Sequence, residues 1–354
     1  MVESQKENKF NTKPTIVRQG HLAEKIVFVD GQPGCGKTML SPIISALDRV
    51  ELLTYAFEVE FICRLFYLNK IDSDASIAMV SMLTDHKLYQ TMMGRETNFR
   101  YSDLSSVFRD AHPGRYIKRI FQKGDMAIPD RINKINPILN LTTHDLLGYS
   151  WPIFNALNQR AIIIDVVRHP LYMLIQQTLN FENLLSDPRD IQIYIKYKGE
   201  QLPYFSYKWE DLFVKSNAVE KSIYSMEKGL ELSNKTKIEL NKKYGNQILT
   251  IPFENFVIDP MPFMKKIEYS LGTKITPTTK RVMKKQKVPR KKLSDGIPLK
   301  IYKRCGWEPP DKIITEKQEL KKRREFAVSN GAGKKALEVL DKLCASYESE
   351  YFKF

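Results

Sequence analysis

The chain has 354 residues, 42% of them hydrophobic and 27% charged, with 56 Lys and Arg against 41 Asp and Glu for a formal net charge of +15. These are the proportions of a soluble globular protein long enough to bury a substantial core, in one large domain or two modest ones. No apolar run approaches the roughly 20 residues needed to cross a bilayer, so no membrane span is expected.

Residues 1–24 are polar, lack an apolar export segment and read as a flexible leader. A strand is predicted over Ile26–Val29, which is apolar and largely β-branched and stops at Asp30. Gly31, Gly34 and Gly36 then surround a tight turn, and Lys37-Thr38 opens an apolar segment suited to a helix over Lys37–Leu47. The stretch GQPGCGKT fits G-x-x-x-x-G-K-[ST] in the strand–loop–helix context that the pattern requires. Glycines there let backbone N–H groups converge on phosphate oxygens, and the following helix adds the partial positive charge of its N-terminus. A phosphate or sulfate group is therefore expected at Gly34, Cys35, Gly36, Lys37, Thr38 and Met39. The motif does not say which group is transferred.

Farther along, Leu52–Leu68 is apolar around most of a helix and is placed in the interior. Residues 75–124 read as largely helical, broken near His112-Pro113-Gly114. A short buried strand follows at Pro137–Leu141, a helix at Leu146–Leu157 and a core strand at Ala161–Val167 (AIIIDVV). Pro170–Asn183 reads as a helix with Pro170 in its first turn. Ile191–Tyr197 and Leu202–Trp209 form a hairpin turned by Lys198-Gly199-Glu200. Helices fill 210–243, Gln247–Phe253 is a strand, Pro260–Leu271 a helix, and Lys334–Phe352 an amphipathic terminal helix. Strands alternating with helices give the fold class as α/β, a P-loop three-layer fold with a central, mostly parallel sheet flanked by helices. The expected organisation is a domain over 25–275, with a helical insertion at about 52–136, and a basic segment and C-terminal helix over 276–354 packing on it.

Cysteines Cys35, Cys63, Cys305 and Cys344 are scattered without a C-x-x-C pair, which speaks against a zinc site or a disulfide framework and for a reducing cytoplasm. Between Met264 and Arg304 stand fourteen Lys or Arg residues against two acids. Three readings of this run compete: a solvated face, a clamp for an anionic nucleotide or polyanionic substrate, and nucleic-acid binding. The last is disfavoured because no aromatics interleave the cations over Lys280–Lys292.

The segment Asn140–Thr178 carries a resemblance to a known family. It contains Thr142-Thr143-His144, then the strand AIIIDVV ending at Arg168-His169-Pro170 and running into a helix. A later segment, IPFENFVIDP at Ile251–Pro260, leads into an apolar helix and Leu271-Gly272. In this order and spacing the chain resembles the sulfotransferases that use 3′-phosphoadenylyl sulfate (PAPS), over most of residues 26–272. The resemblance implies a sulfuryl transfer from PAPS to a hydroxyl or amine of a small-molecule or glycan acceptor, leaving adenosine 3′,5′-bisphosphate. It implies His144 as the base that takes the acceptor proton, Lys37 as the stabiliser of the leaving phosphate, and Arg168 as the clamp on the 3′-phosphate. Gln176 would add a hydrogen bond to that phosphate, and Arg290 or Lys291 would close over it.

Three positions depart from the family's pattern. Gly34 stands where the loop usually carries its basic residue, Gln176 where a serine is usual, and Thr142 where lysine is common. These departures keep open an ATP- and magnesium-dependent kinase of small molecules or nucleotides, with Lys37 on the β/γ-phosphates, Thr38 on the metal and Asp165 as its acidic partner. A third reading is a nucleotide-gated polyanion-binding protein that uses the run 280–292. Glu58 and Glu60, two apart on a helix, point to different faces and so are placed in structural or substrate-side roles. Trp151, Trp209 and Trp307 are assigned to core packing, with an acceptor pocket as the alternative.

Overall fold

The computed structural model describes residues 14–185, 187–188, 190–296 and 314–351. Cys305, Trp307 and the start of the expected leader lie outside the described residues. At the centre is β1 (Lys25–Asp30), flanked by β3 (Ile138–Thr142) and β4 (Ala161–Val167), with β2 (Thr54–Tyr55) and β7 (Ile248–Pro252) at the edges. The order is β2-β3-β1-β4-β7 and every pairing is parallel, with Val27 opposite Asn140 on one side and Ile162 on the other.

The period of two along β1 sends Val27 and Val29 into one apolar cluster and Ile26 and Phe28 into another. The first cluster packs the sheet against α1 (Lys37–Ser45), α7 (Pro170–Asn183), α10 (Phe253–Ile258), α11 (Met261–Leu271), α12 (Pro277–Lys285), α13 (Glu316–Ser329) and α14 (Lys334–Tyr351). The second packs it against α2 (Phe57–Tyr67), α3 (Ser73–Met93), α5 (Ala127–Ile135) and α6 (Trp151–Leu157). Helix α9 (Ala218–Tyr244) contributes to both, through Val219 and Ile223 on one side and Leu240 on the other. Burial on both faces is why AIIIDVV shows no alternation of apolar and polar residues.

The α/β class and the helix-flanked parallel sheet are as expected, and the hairpin is a separate pair, β5 (Tyr194–Tyr197) with β6 (Glu200–Pro203). Local differences have clear causes. The expected helix over Leu52–Leu68 begins only at Phe57, because Thr54 and Tyr55 pair with Leu141 and Thr142 as a sheet edge. The long helical reading of 75–124 stops at Gly94, whose φ of 77° ends α3; α4 (Pro113–Ile120) resumes only after an irregular stretch. Between β6 and α9 lies the short helix α8 (Glu210–Lys215).

A buried ion pair fastens α4 to the sheet edge. Arg119 donates from Nη1 and Nη2 to the two carboxylate oxygens of Glu51 at 2.7 and 2.8 Å, and the Tyr116 hydroxyl accepts the Leu52 N–H at 2.7 Å. Removing one partner leaves a buried charge alone, so Glu51→Ala is expected to lower the unfolding free energy by about 3–5 kcal/mol. Urea unfolding measures this, and an unchanged midpoint would show that the pair does not hold the element.

Candidate active site

Asp30 ends β1 and is almost fully buried. Its carboxylate accepts the N–H groups of Leu146, at 2.9 and 3.0 Å, and Leu147, at 2.8 Å, and the hydroxyl of Thr143 at 2.8 Å. The turn after β3, which carries His144, is thereby clipped beside the loop that starts one residue after Asp30.

That loop needs its glycines. Gly34 and Gly36 have φ of 89° and 101°, and a Cβ on Gly36 would lie 2.3 Å from the Phe253 ring. Three side chains tie back its carbonyls: Lys37 Nζ donates to Gly31 O at 2.6 Å, Gln177 Nε2 to Pro33 O at 3.0 Å and Arg168 Nη1 to Gly34 O at 2.9 Å. Cations and donors aimed at these carbonyls remove negative potential from the loop. Cys35 and Met39 are buried in the core, so only their backbone is available to a ligand; burial also pushes the Cys35 thiol up. Gln176 lies beside Gly34, with Oε1 3.3 Å from where a Cβ would be, whereas Thr178 is turned inward to Leu174 O at 2.9 Å. Gln177 was not singled out from sequence. Its place four residues after Met173, which also packs on Gly34, is the helical periodicity that points to it.

On the far side of the loop two guanidinium groups share one aromatic ring. Arg168 lies 4.3 Å and Arg290 5.5 Å from the Phe253 centroid. Arg290 also donates to Leu293 O at 3.0 Å, and burial, then the charge of Arg168, lower its pKa to about 10. Arg168 Nε is 3.7 Å from Glu254 and, among the described residues, makes no hydrogen bond. Glu254 is buried and accepts the Tyr347 hydroxyl of α14, whose own pKa burial and Glu254 raise. Lys291 is exposed and is not drawn into this cluster by any described contact.

His144 is the second centre. Its ring stacks on Phe57 at 5.5 Å and on Tyr55 at 5.8 Å. Nδ1 lies 3.0 Å from Glu60 Oε1, which also accepts the His144 backbone N–H at 3.1 Å. Arg64 bridges the assembly, donating from Nη2 to Glu60 Oε2 at 2.7 Å and to His144 O at 3.0 Å. A carboxylate facing Nδ1 assigns the proton to that nitrogen and leaves Nε2 as the acceptor. Glu58 faces elsewhere, pairing with Lys87 at 3.1 Å, so the two acids do point to different faces.

His144 and Glu60 open onto a cavity of about 850 Å³ that is also lined by Gln32 and Pro33 of the loop. Its other walls combine aromatic rings, among them Tyr67, Phe181, Tyr204 and Phe205, with charged side chains, among them Lys208, Lys228, Lys235 and Glu231. Trp209 lines it as well, whereas Trp151 stacks on Phe66 at 4.9 Å. Asp145 lies between cavity and loop, and Asp165 sits 4.0 Å from Lys237. Burial, as the largest cause, raises the pKa of each of these carboxyls to about 7.

No family model and no curated protein matches the chain. Solved structures to which it is similar include sulfotransferases. A sulfotransferase domain from the Synechococcus PCC 7002 olefin synthase is 12% identical over 93% of this chain and 98% of that one, with a TM-score of 0.44. Sulfotransferase STF9 from Mycobacterium avium is 13% identical over 87% of this chain and 77% of its own, at a TM-score of 0.37. Mouse sulfotransferase SULT7A1, solved in complex with PAP, is 13% identical over 92% of this chain and 85% of its own, at a TM-score of 0.36. With so few identities shared, the residues of this chain must carry the functional argument.

The raised pKa of Asp145 has a signed consequence for stability. A folded state that binds the proton more tightly than the unfolded chain is favoured below the ordinary carboxylate range, and that stability is lost as pH rises through about 7. Asp145→Asn removes the titration. Its melting temperature relative to wild type should rise between about pH 5 and about pH 8, and a difference independent of pH would refute the assignment.

Proposed function

We propose that this chain is a sulfotransferase that moves a sulfuryl group from PAPS to a hydroxyl or amine of a small acceptor. The observation that carries the reading is the carboxylate-backed His144, whose Nε2 acceptor opens on the same cavity as Gln32 and Pro33 of the phosphate loop. When bound, the donor supplies an activated sulfuryl group whose leaving group is a phosphate. The residues present suit it: a glycine cradle that a Cβ would fill, and Arg168, whose Nε makes no hydrogen bond among the described residues, beside Arg290.

In this reading the backbone of Gly34, Gly36 and Thr38 holds the 5′-phosphosulfate, and the Lys37 ammonium stabilises charge on the leaving phosphate. Arg168 grips the 3′-phosphate, with Arg290 flanking the same ring and Gln176 in reach of the loop. His144 Nε2 takes the acceptor proton, and Glu60 stabilises the imidazolium that results. Glu60 acts through His144 and is a positioning residue.

The kinase reading is weaker on one specific ground. Asp165, its candidate magnesium partner, lies beside the Lys237 ammonium, and its pKa is raised to about 7. A cation already beside the carboxylate opposes a divalent metal there.

Calorimetric titration with adenosine 3′,5′-bisphosphate, with ADP, and with ADP plus Mg²⁺ separates the readings. Metal-free binding of the bisphosphate, weakened about tenfold or more in Arg168→Ala, is expected from the loss of a charge-assisted contact. Preference for Mg-ADP with Arg168→Ala indifferent would overturn the proposal. His144→Ala should cut turnover by about 10²-fold or more while leaving bisphosphate affinity nearly unchanged.

A further inference from the structure

Helix α4 is turned inside out. Its buried face carries Tyr116 and Arg119, held by Leu52 and Glu51. Its outer face carries Ile117 and Ile120, 40% and 50% exposed, followed by Phe121 at 84%. The spacing i, i+3, i+4 makes these three one apolar stripe, the reverse of an ordinary surface helix. In the connection to α5, Met126 is 89% exposed.

Cations frame the stripe. Of the cations in residues 115–124, Arg115 and Arg119 pair with Glu51, whereas Lys118 and Lys123 are exposed, and the exposed acid Asp125 follows. On the basic helix α12, Lys280, Arg281, Lys284 and Lys285 are all exposed. The segment that leads into α4 meets α12 at a cavity of about 230 Å³ lined by Arg109 and Asp110 from one side and Arg281 and Lys285 from the other. Phe108, beside Arg109, is 47% exposed. The basic run therefore adjoins an apolar rim.

We propose that this face docks on the surface of an anionic membrane, with Ile117, Ile120 and Phe121 entering the acyl boundary and the surrounding Lys and Arg among the headgroups. Apolar side chains on one face of a short helix, ringed by positive charge, are the physical requirement for interfacial binding to acidic lipid. Among the described residues no helix is long and apolar enough to cross a membrane, so the contact is peripheral. Nucleic acid would use the cations and leave the aliphatic stripe in water. A second copy of the chain would bring like charges together around the stripe. The inference does not depend on the reaction the site performs.

Co-sedimentation with phosphatidylcholine vesicles, with and without phosphatidylserine, tests it. The wild-type chain should pellet with the phosphatidylserine vesicles and remain in solution with phosphatidylcholine alone. The double variant Ile120→Ser/Phe121→Ser, which leaves the charge unchanged, should bind at least about tenfold more weakly, because it removes the inserted apolar surface. Both positions are exposed, so its melting curve and its affinity for adenosine 3′,5′-bisphosphate should match wild type. Failure to pellet overturns the proposal. So does pelleting that the double variant leaves unchanged, which would be adsorption by charge alone. Concentration-dependent dimerisation abolished by the same variant would instead assign the stripe to a second copy.

Discussion

Everything at the candidate site depends on where one buried carboxylate sends its lone pairs. Asp30 ends the central strand, and its oxygens accept backbone N–H groups from the turn that follows a neighbouring strand. A carboxylate with such partners is stable in the interior, and the partners are fixed by it in return. Thr143, also bonded to Asp30, sits next to His144, while Gly31 on the other side opens the phosphate loop. A single residue thus couples the position of an imidazole to that of the glycine-rich loop. The parallel sheet supplies the rest, since it brings the C-terminal ends of β1, β3 and β4 to the same edge.

The second constraint is the management of positive charge. Arg168 reaches toward Gly34 and toward Glu254, and Glu254 accepts from Tyr347 on the final helix. The C-terminal helix is tied to the same place again by His169 Nε2, 3.0 Å from Glu348. Arg290 joins from the segment after α12, with its charge disfavoured by burial and by Arg168. Two guanidinium groups thus share one ring, with Glu254 3.7 Å from Arg168 and the charge of Asp295 acting on Arg290.

Much of this was legible in the residues. The glycine pattern of the loop, the uninterrupted apolar strand AIIIDVV and the Pro170 helix start are local signals, and local physics decides them. The role of Glu60 was not legible. It is separated from His144 by 84 positions, and only the pairing of β2 with β3 brings α2 beside the turn that holds the histidine. Tertiary pairing also overrode the helical pattern at Thr54-Tyr55. The inverted helix α4 hid for another reason: its apolar periodicity is real, but a buried Glu51–Arg119 pair, invisible to periodicity, decides which face turns inward.

The most direct test of the account is a label-transfer experiment that uses the small-molecule extract of the protein's own cells as acceptor pool. The chain is given radiosulfur-labelled PAPS in one reaction and γ-radiophosphorus-labelled ATP with Mg²⁺ in the other. The account predicts labelled acceptors only from PAPS, formed without metal and absent with His144→Ala. Transfer of radiophosphorus that needs Mg²⁺ and is unaffected by His144→Ala would contradict it.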